Sequence, residues 1–190
     1  MEDTKKEKSL SHRISEFRLP RHTELPEIDF YMDQVISLMN KCLYLSADDE
    51  TSKLITPAMI NNYVKLGIIP PPVKKRYSRE HICYLFIVCM LKSVMPISLI
   101  SYIIETQTKN RSIFELYDMF GEAYENVLKK TDETSKEMLE ENAPEEANAV
   151  ELALFMSIHA STAQLIAQNA IKTFLPAEKP QEKDKKQKDV

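Results

Sequence analysis

Residues 56–77 read TPAMINNYVKLGIIPPPVKKRY, and the rest of the chain is best read outward from them. Thr56 brings a hydroxyl that can accept from the first turn of a helix. Pro57 suits the first helical position, where its missing N–H costs nothing, and Gly67 can take the left-handed conformation that stops a helix. These signals define about three turns of helix. Pro70, Pro71 and Pro72 forbid its continuation, and Lys74, Lys75 and Arg76 set three cations in a row before Tyr77. A short capped helix followed by an extended, positively charged return is expected.

With 190 residues and 43% apolar composition, the chain can bury one sizeable core or two small ones. It has two glycines, Gly67 and Gly121, and no Asn-Gly or Asp-Gly turn between alternating apolar residues, so the expected class is mainly all-α. The net charge of -4 hides a strong polarity. Residues 56–92 hold six cations against one anion, whereas residues 113–151 hold three lysines against twelve carboxylates. The first window suits phosphate and the second repels it. Cys42, Cys83 and Cys89 follow a charged start, MEDTKKEKS, and read as free thiols of a cytoplasmic protein. The longest apolar run, residues 82–91, is about half of a membrane span, so no membrane partner is expected.

Residues 1–16 are charged and read as a disordered tail. In FRLPRHTELPEID, residues 17–29, Pro20 and Pro26 punctuate an extended path whose Arg18 and Arg21 read as surface charge ahead of a DNA-reaching arm. A helix is expected from Asp29 to about residue 44, with Met32, Val35, Ile36, Met39 and Leu43 on one face. The loop SADDETSK lacks the alternating acids and central Gly of a calcium site. Ser78 is placed to cap a helix to about Val94. Its middle, ICYLFIVCML, is apolar on every side and so must be covered all round as a central strut. Further helices are expected from Leu99 to Gln107 after a Ser98 cap, from Ser112 onward with thinning at 131–141, and from about 145 to Phe174. The tail 176–190 reads as disordered.

The segments TPAMINNYVKLGI, KKRYSREHI, FIVCMLK and ISLISYII resemble, in order and spacing, the MerR family of transcription regulators. Residues 17–110 are also similar to a family of uncharacterised bacterial proteins described by a MerR-like domain. The resemblance implies a winged helix-turn-helix DNA-binding domain over 17–110 with a short wing, followed by a helical hairpin or bundle over 111–175. The chain departs from the MerR pattern in its long helix before loop 46–55. It also lacks the single long coiled-coil helix and terminal cysteine cluster of metal-sensing members, so no effector chemistry carries over.

On the reading helix, Ile60 and Val64 should face the strut with Tyr63 at the core edge, leaving Ala58, Asn61, Asn62 and Lys65 outward. Asn can pair bidentately with adenine, and a small Ala permits close approach to the major groove. Lys74, Lys75 and Arg76 would hold phosphates, and Tyr77 would bond a phosphate or pack beneath the wing. With the capping Thr56, these ten residues form the expected DNA site. No catalytic, metal or cofactor site is expected. Cys83 and Cys89 point to different faces, and His159 with Ser157 and Ser161 lacks a nucleophile elbow and an orienting acid. Double-stranded DNA and a second copy, joined through residues 112–174, are the expected partners. A small-molecule effector among the C-terminal helices is compatible with this, and an adaptor that binds a basic partner through acidic residues 112–141 is the alternative.

Overall fold

The computed structural model describes residues 10–43, 45, 55–139, 145–172 and 174. Tail residues 1–9 and 176–190, loop residues 46–54 and the break at 140–144 lie outside the described residues. The chain is mainly helical: α1 Leu10–Glu16, α2 Met32–Cys42, α3 Pro57–Lys65, α4 Arg79–Leu91, α5 Ile97–Gln107, α6 Ile113–Met138 and α7 Glu145–Lys172. Extended pairing among the described residues is limited to the isolated bridges Phe30 with Tyr77 and Val73 with Arg76.

The strut is α4. Its apolar residues leave no side for water, and Ile82, Cys83, Leu85, Phe86, Ile87, Val88 and Cys89 are all buried. Ser78 starts it by an unusual cap, in which His81 Nδ1 accepts from the Ser78 N–H at 3.0 Å. On one side α4 packs along α6, with Phe86 stacked on Tyr117 at 5.5 Å, and α5 packs beside it. Val35 and Met39 of α2 and Ile60 and Tyr63 of α3 join the same buried cluster. That cluster runs from Phe17 to Tyr117, so the core continues across the domain boundary expected at 110–111.

Several boundaries differ from those expected, each for a local reason. The first expected helix starts at Met32 rather than after Asp29, because Phe30 is used in pairing with Tyr77 and Gln34 Oε1 accepts the Tyr31 N–H at 2.9 Å. Helix α4 stops at Leu91 and α5 begins at Ile97 directly after Pro96, which places Ser98 inside the helix. Ser112 and Glu115 cap α6 reciprocally, and the helix continues unbroken through the polar stretch after Thr131 to Met138.

Residues 10–16 correct the expectation of a structureless start. They form α1, which lies on α6 with Ile14 buried and Ser11 Oγ donating to Asp132 at 3.0 Å. Asp118, Glu125 and Asp132 recur every seven residues and so line one stripe of α6. Three of the twelve carboxylates counted in residues 113–151 are used internally by this stripe to hold the N-terminal segment. Asp118 accepts from His22 N–H at 2.8 Å, and Glu125 accepts from Arg21 Nη1 and Nη2 at 2.9 and 2.7 Å and from the Leu19 N–H at 2.9 Å. Tyr117 donates to the Pro20 carbonyl at 2.6 Å. Gly121 sits at this crossing, where a Cβ would lie 3.0 Å from Arg21 Nη1 and would press on the clasp.

Partial burial pushes the Glu125 carboxyl up, but the bonds from Arg21 and Leu19 outweigh it and leave its pKa below the usual value. The clasp therefore contributes fully above the ordinary carboxylate pKa and is lost as pH falls through the depressed one. Glu125→Gln is expected to cost about 1.5–3 kcal/mol at neutral pH, the range for hydrogen bonds to charged groups. Denaturant melts of both proteins between pH 7 and pH 3 should converge as acid removes the difference.

Candidate nucleic-acid interface

Helix α3 is built as its sequence requires. Thr56 Oγ1 accepts from Met59 N–H at 3.3 Å. At the other end Gly67 has φ 72, and Gly67 N–H and Ile68 N–H donate to Val64 and Tyr63 carbonyls, both at 3.0 Å. This is a Schellman ending with its usual apolar contact partners, Ile68 and Tyr63, both buried. Ala58, Asn61, Asn62 and Lys65 are exposed together on the outer side.

The inner side differs from expectation in one residue: Ile60 and Tyr63 are buried, while Val64 is half-buried. Burial pushes the Tyr63 phenol up to about 12. Tyr63 is therefore a core residue and is removed from the candidate contacts. Tyr77 takes the second of its two expected roles, packing beneath the wing, and so leaves the contact set. It is 3% exposed, exchanges two 2.8 Å backbone bonds with Phe30, and sets its ring edge-on to His81 at 5.6 Å.

Between the prolines and α4 the chain makes a two-residue hairpin. Arg76 N–H donates to the Val73 carbonyl at 2.9 Å, and the intervening Lys74 and Lys75 have φ 50 and 63. Two successive positive φ values are the signature of a type I′ turn, whose favoured residues are Asn and Gly. A Cβ-bearing residue in this region costs roughly 1–2 kcal/mol. The hairpin holds two exposed lysines at its tip despite that strain.

Arg76 is held by a residue that the sequence reading missed. Its guanidinium lies over the Tyr31 ring, 4.3 Å from the centroid, and Nη2 donates to the Tyr31 hydroxyl at 2.7 Å. Tyr31 stands 45 positions earlier, and the Phe30 to Tyr77 pairing brings it there. The N-terminal arm thus links the hairpin to α6. Arg18 and Arg21 are placed away from this face, paired with Glu24 and Glu125, and Arg79 approaches Glu27 at 3.4 Å.

Burial pushes the Cys83 and Cys89 thiols up to about 12, the reverse of a reactive thiolate. Ser157 Oγ donates to the Ala153 carbonyl at 2.7 Å rather than to His159. Among the described residues there is no cluster of three or more His, Cys, Asp or Glu able to hold a metal.

The family described as a domain of unknown function, DUF1836, matches residues 20–127. The chain belongs to the DUF1836 family. No curated protein and no solved structure matches the chain. The DUF1836 domain spans the arm, α2 to α5 and the first half of α6, so α3, the hairpin and Tyr31 lie inside it. Helices α1 and α7 lie outside the matched span.

Proposed function

We propose that this DUF1836 protein is a cytoplasmic, dimeric transcriptional regulator that binds double-stranded DNA through a MerR-like winged helix-turn-helix. Helix α3 enters the major groove and the 73–76 hairpin is the wing. The observation that carries this reading is the lysine pair at the hairpin tip, kept where Asn-Gly would be less strained. Backbone strain that brings no packing is a pointer to function. Asn61 and Asn62 offer amide forks to base edges, Ala58 allows close approach, and Lys65, Lys74, Lys75 and Arg76 hold phosphates, with Tyr31 orienting Arg76. Thr56 supports the site as the helix cap.

One reading helix contacts only a few base pairs, so a second copy on a palindromic site supplies affinity. The adaptor alternative loses weight, because Asp118, Glu125 and Asp132 already hold the arm. In a gel-shift titration against a pool of random duplexes, replacing Asn61, Asn62, Lys75 and Arg76 together by Ala is expected to abolish binding. Unchanged binding by that variant would overturn the assignment.

A further inference from the structure

Helix α7 is 28 residues long, and none of its described residues is buried. Its side chains fall on three sides. Leu152, Met156, Ala160 and Ala163 turn toward α6, Ser157, Ser161 and Gln164 form a polar stripe, and Phe155, Ile158 and Leu165 form a second apolar side. Among the described residues that second side is left open, with Ile158 53% and Leu165 60% exposed. Beside it, α6 and α7 leave an open cleft of about 540 Å³ whose walls include Thr131, Thr134, Ala160 and Ala163. Val127, Lys130, Met156 and His159 complete its walls, so an exposed apolar side stands next to a largely apolar cleft, a surface that two copies can cover for each other.

We propose that a second copy covers this surface, the two α6–α7 hairpins meeting antiparallel as a four-helix bundle in which each α7 lies along the other's cleft. This specifies the partner face of the dimer proposed above and rests on that part of the reading. Charge selects the orientation. Residues 137–151 carry six glutamates and no cation, while residues 172–190 carry six lysines against four acids. Antiparallel packing sets Glu145, Glu146 and Glu151 of one copy toward the Lys172 end of the other's α7, whereas parallel packing would set acid on acid. A twofold axis beside Thr162 places Ile158 against Leu165 of the second copy and Glu151 level with its position 172. A lipid bilayer is the competing cover, since Glu145–Ile171 passes for a membrane span by length and composition with a mean hydropathy of 1.3. The uncharged stretch contains Ser157, His159, Ser161, Gln164, Gln168 and Asn169, which hydrocarbon penalises and a wet bundle surface does not.

The test needs no DNA, so its outcome is independent of the DNA-binding part of the reading. Light scattering of the full chain should give twice the 22.0 kDa of one copy, and Ile158→Glu with Leu165→Glu should give a monomer with unchanged helical circular dichroism. In a Cys42→Ser background, Thr162→Cys should form an intermolecular disulfide under mild oxidation, and Leu154→Cys, well away from the axis, should not. Wild-type protein that is monomeric, or that floats with phosphatidylcholine vesicles, overturns the second copy as occupant. A dimer that crosslinks equally at both positions overturns the antiparallel arrangement alone.

Discussion

Replacing Lys74 with Asn and Lys75 with Gly is expected to raise stability and lower DNA affinity at the same time. The native residues hold φ 50 and 63, and Asn-Gly is the pair best suited to a type I′ turn. Relief of roughly 1–2 kcal/mol per strained residue, less the chain entropy of a new glycine of about 0.5–1 kcal/mol, leaves a gain of about 1 kcal/mol or more. DNA binding moves the other way. Each lost phosphate contact removes about 0.9 from the salt slope, roughly fivefold in affinity at 0.15 M salt, so two contacts amount to about 30-fold. A lysine pair kept only by neutral drift would show the stability gain with no binding loss. Thermal melts and fluorescence polarisation on the same double variant separate the two cases.

The largest stability effect is expected at the strut. Phe86 is fully buried in the middle of α4 and stacked on Tyr117 of α6, whose ring is 1% exposed. Phe86→Ala should cost about 3–5 kcal/mol, because the cavity lies between rigid helices that cannot close over it. A loss of this size is a large fraction of the stability of an ordinary domain. The whole α2 to α6 core should therefore loosen as one unit in urea denaturation followed by circular dichroism, since Phe86 belongs to the cluster shared by α2, α3, α4, α5 and α6. A cost under 1 kcal/mol would mean that α4 is not the central support.

The local signals were legible in the sequence wherever a short rule governs a short segment. Thr56, Pro57 and Gly67 marked α3 to within a residue or two, and the all-round apolar run 82–91 marked the buried helix. Distant pairings were not legible. Nothing near Tyr31 announces Arg76, and the pairing of Phe30 with Tyr77 has no signature in either segment. The arm clasp depends on a seven-residue recurrence of acids, Asp118, Glu125 and Asp132, that regional charge counting merged into a general acidity. Tyr63 and Val64 differ by one position on a helix, about 100° of rotation, and composition alone does not choose which of them faces the core. The charged composition of residues 10–16 similarly hid a helix in which Ile14 is buried.

The central claim is that the exposed face of α3 and the hairpin tip bind duplex DNA. The most direct measurement is fluorescence polarisation of a labelled random-sequence duplex titrated with wild-type protein across salt concentrations. Four exposed cations, Lys65, Lys74, Lys75 and Arg76, predict a plot of log affinity against log salt with a slope of about −3 to −4 per bound chain. A flat salt response, or no binding even at low salt, would contradict the account.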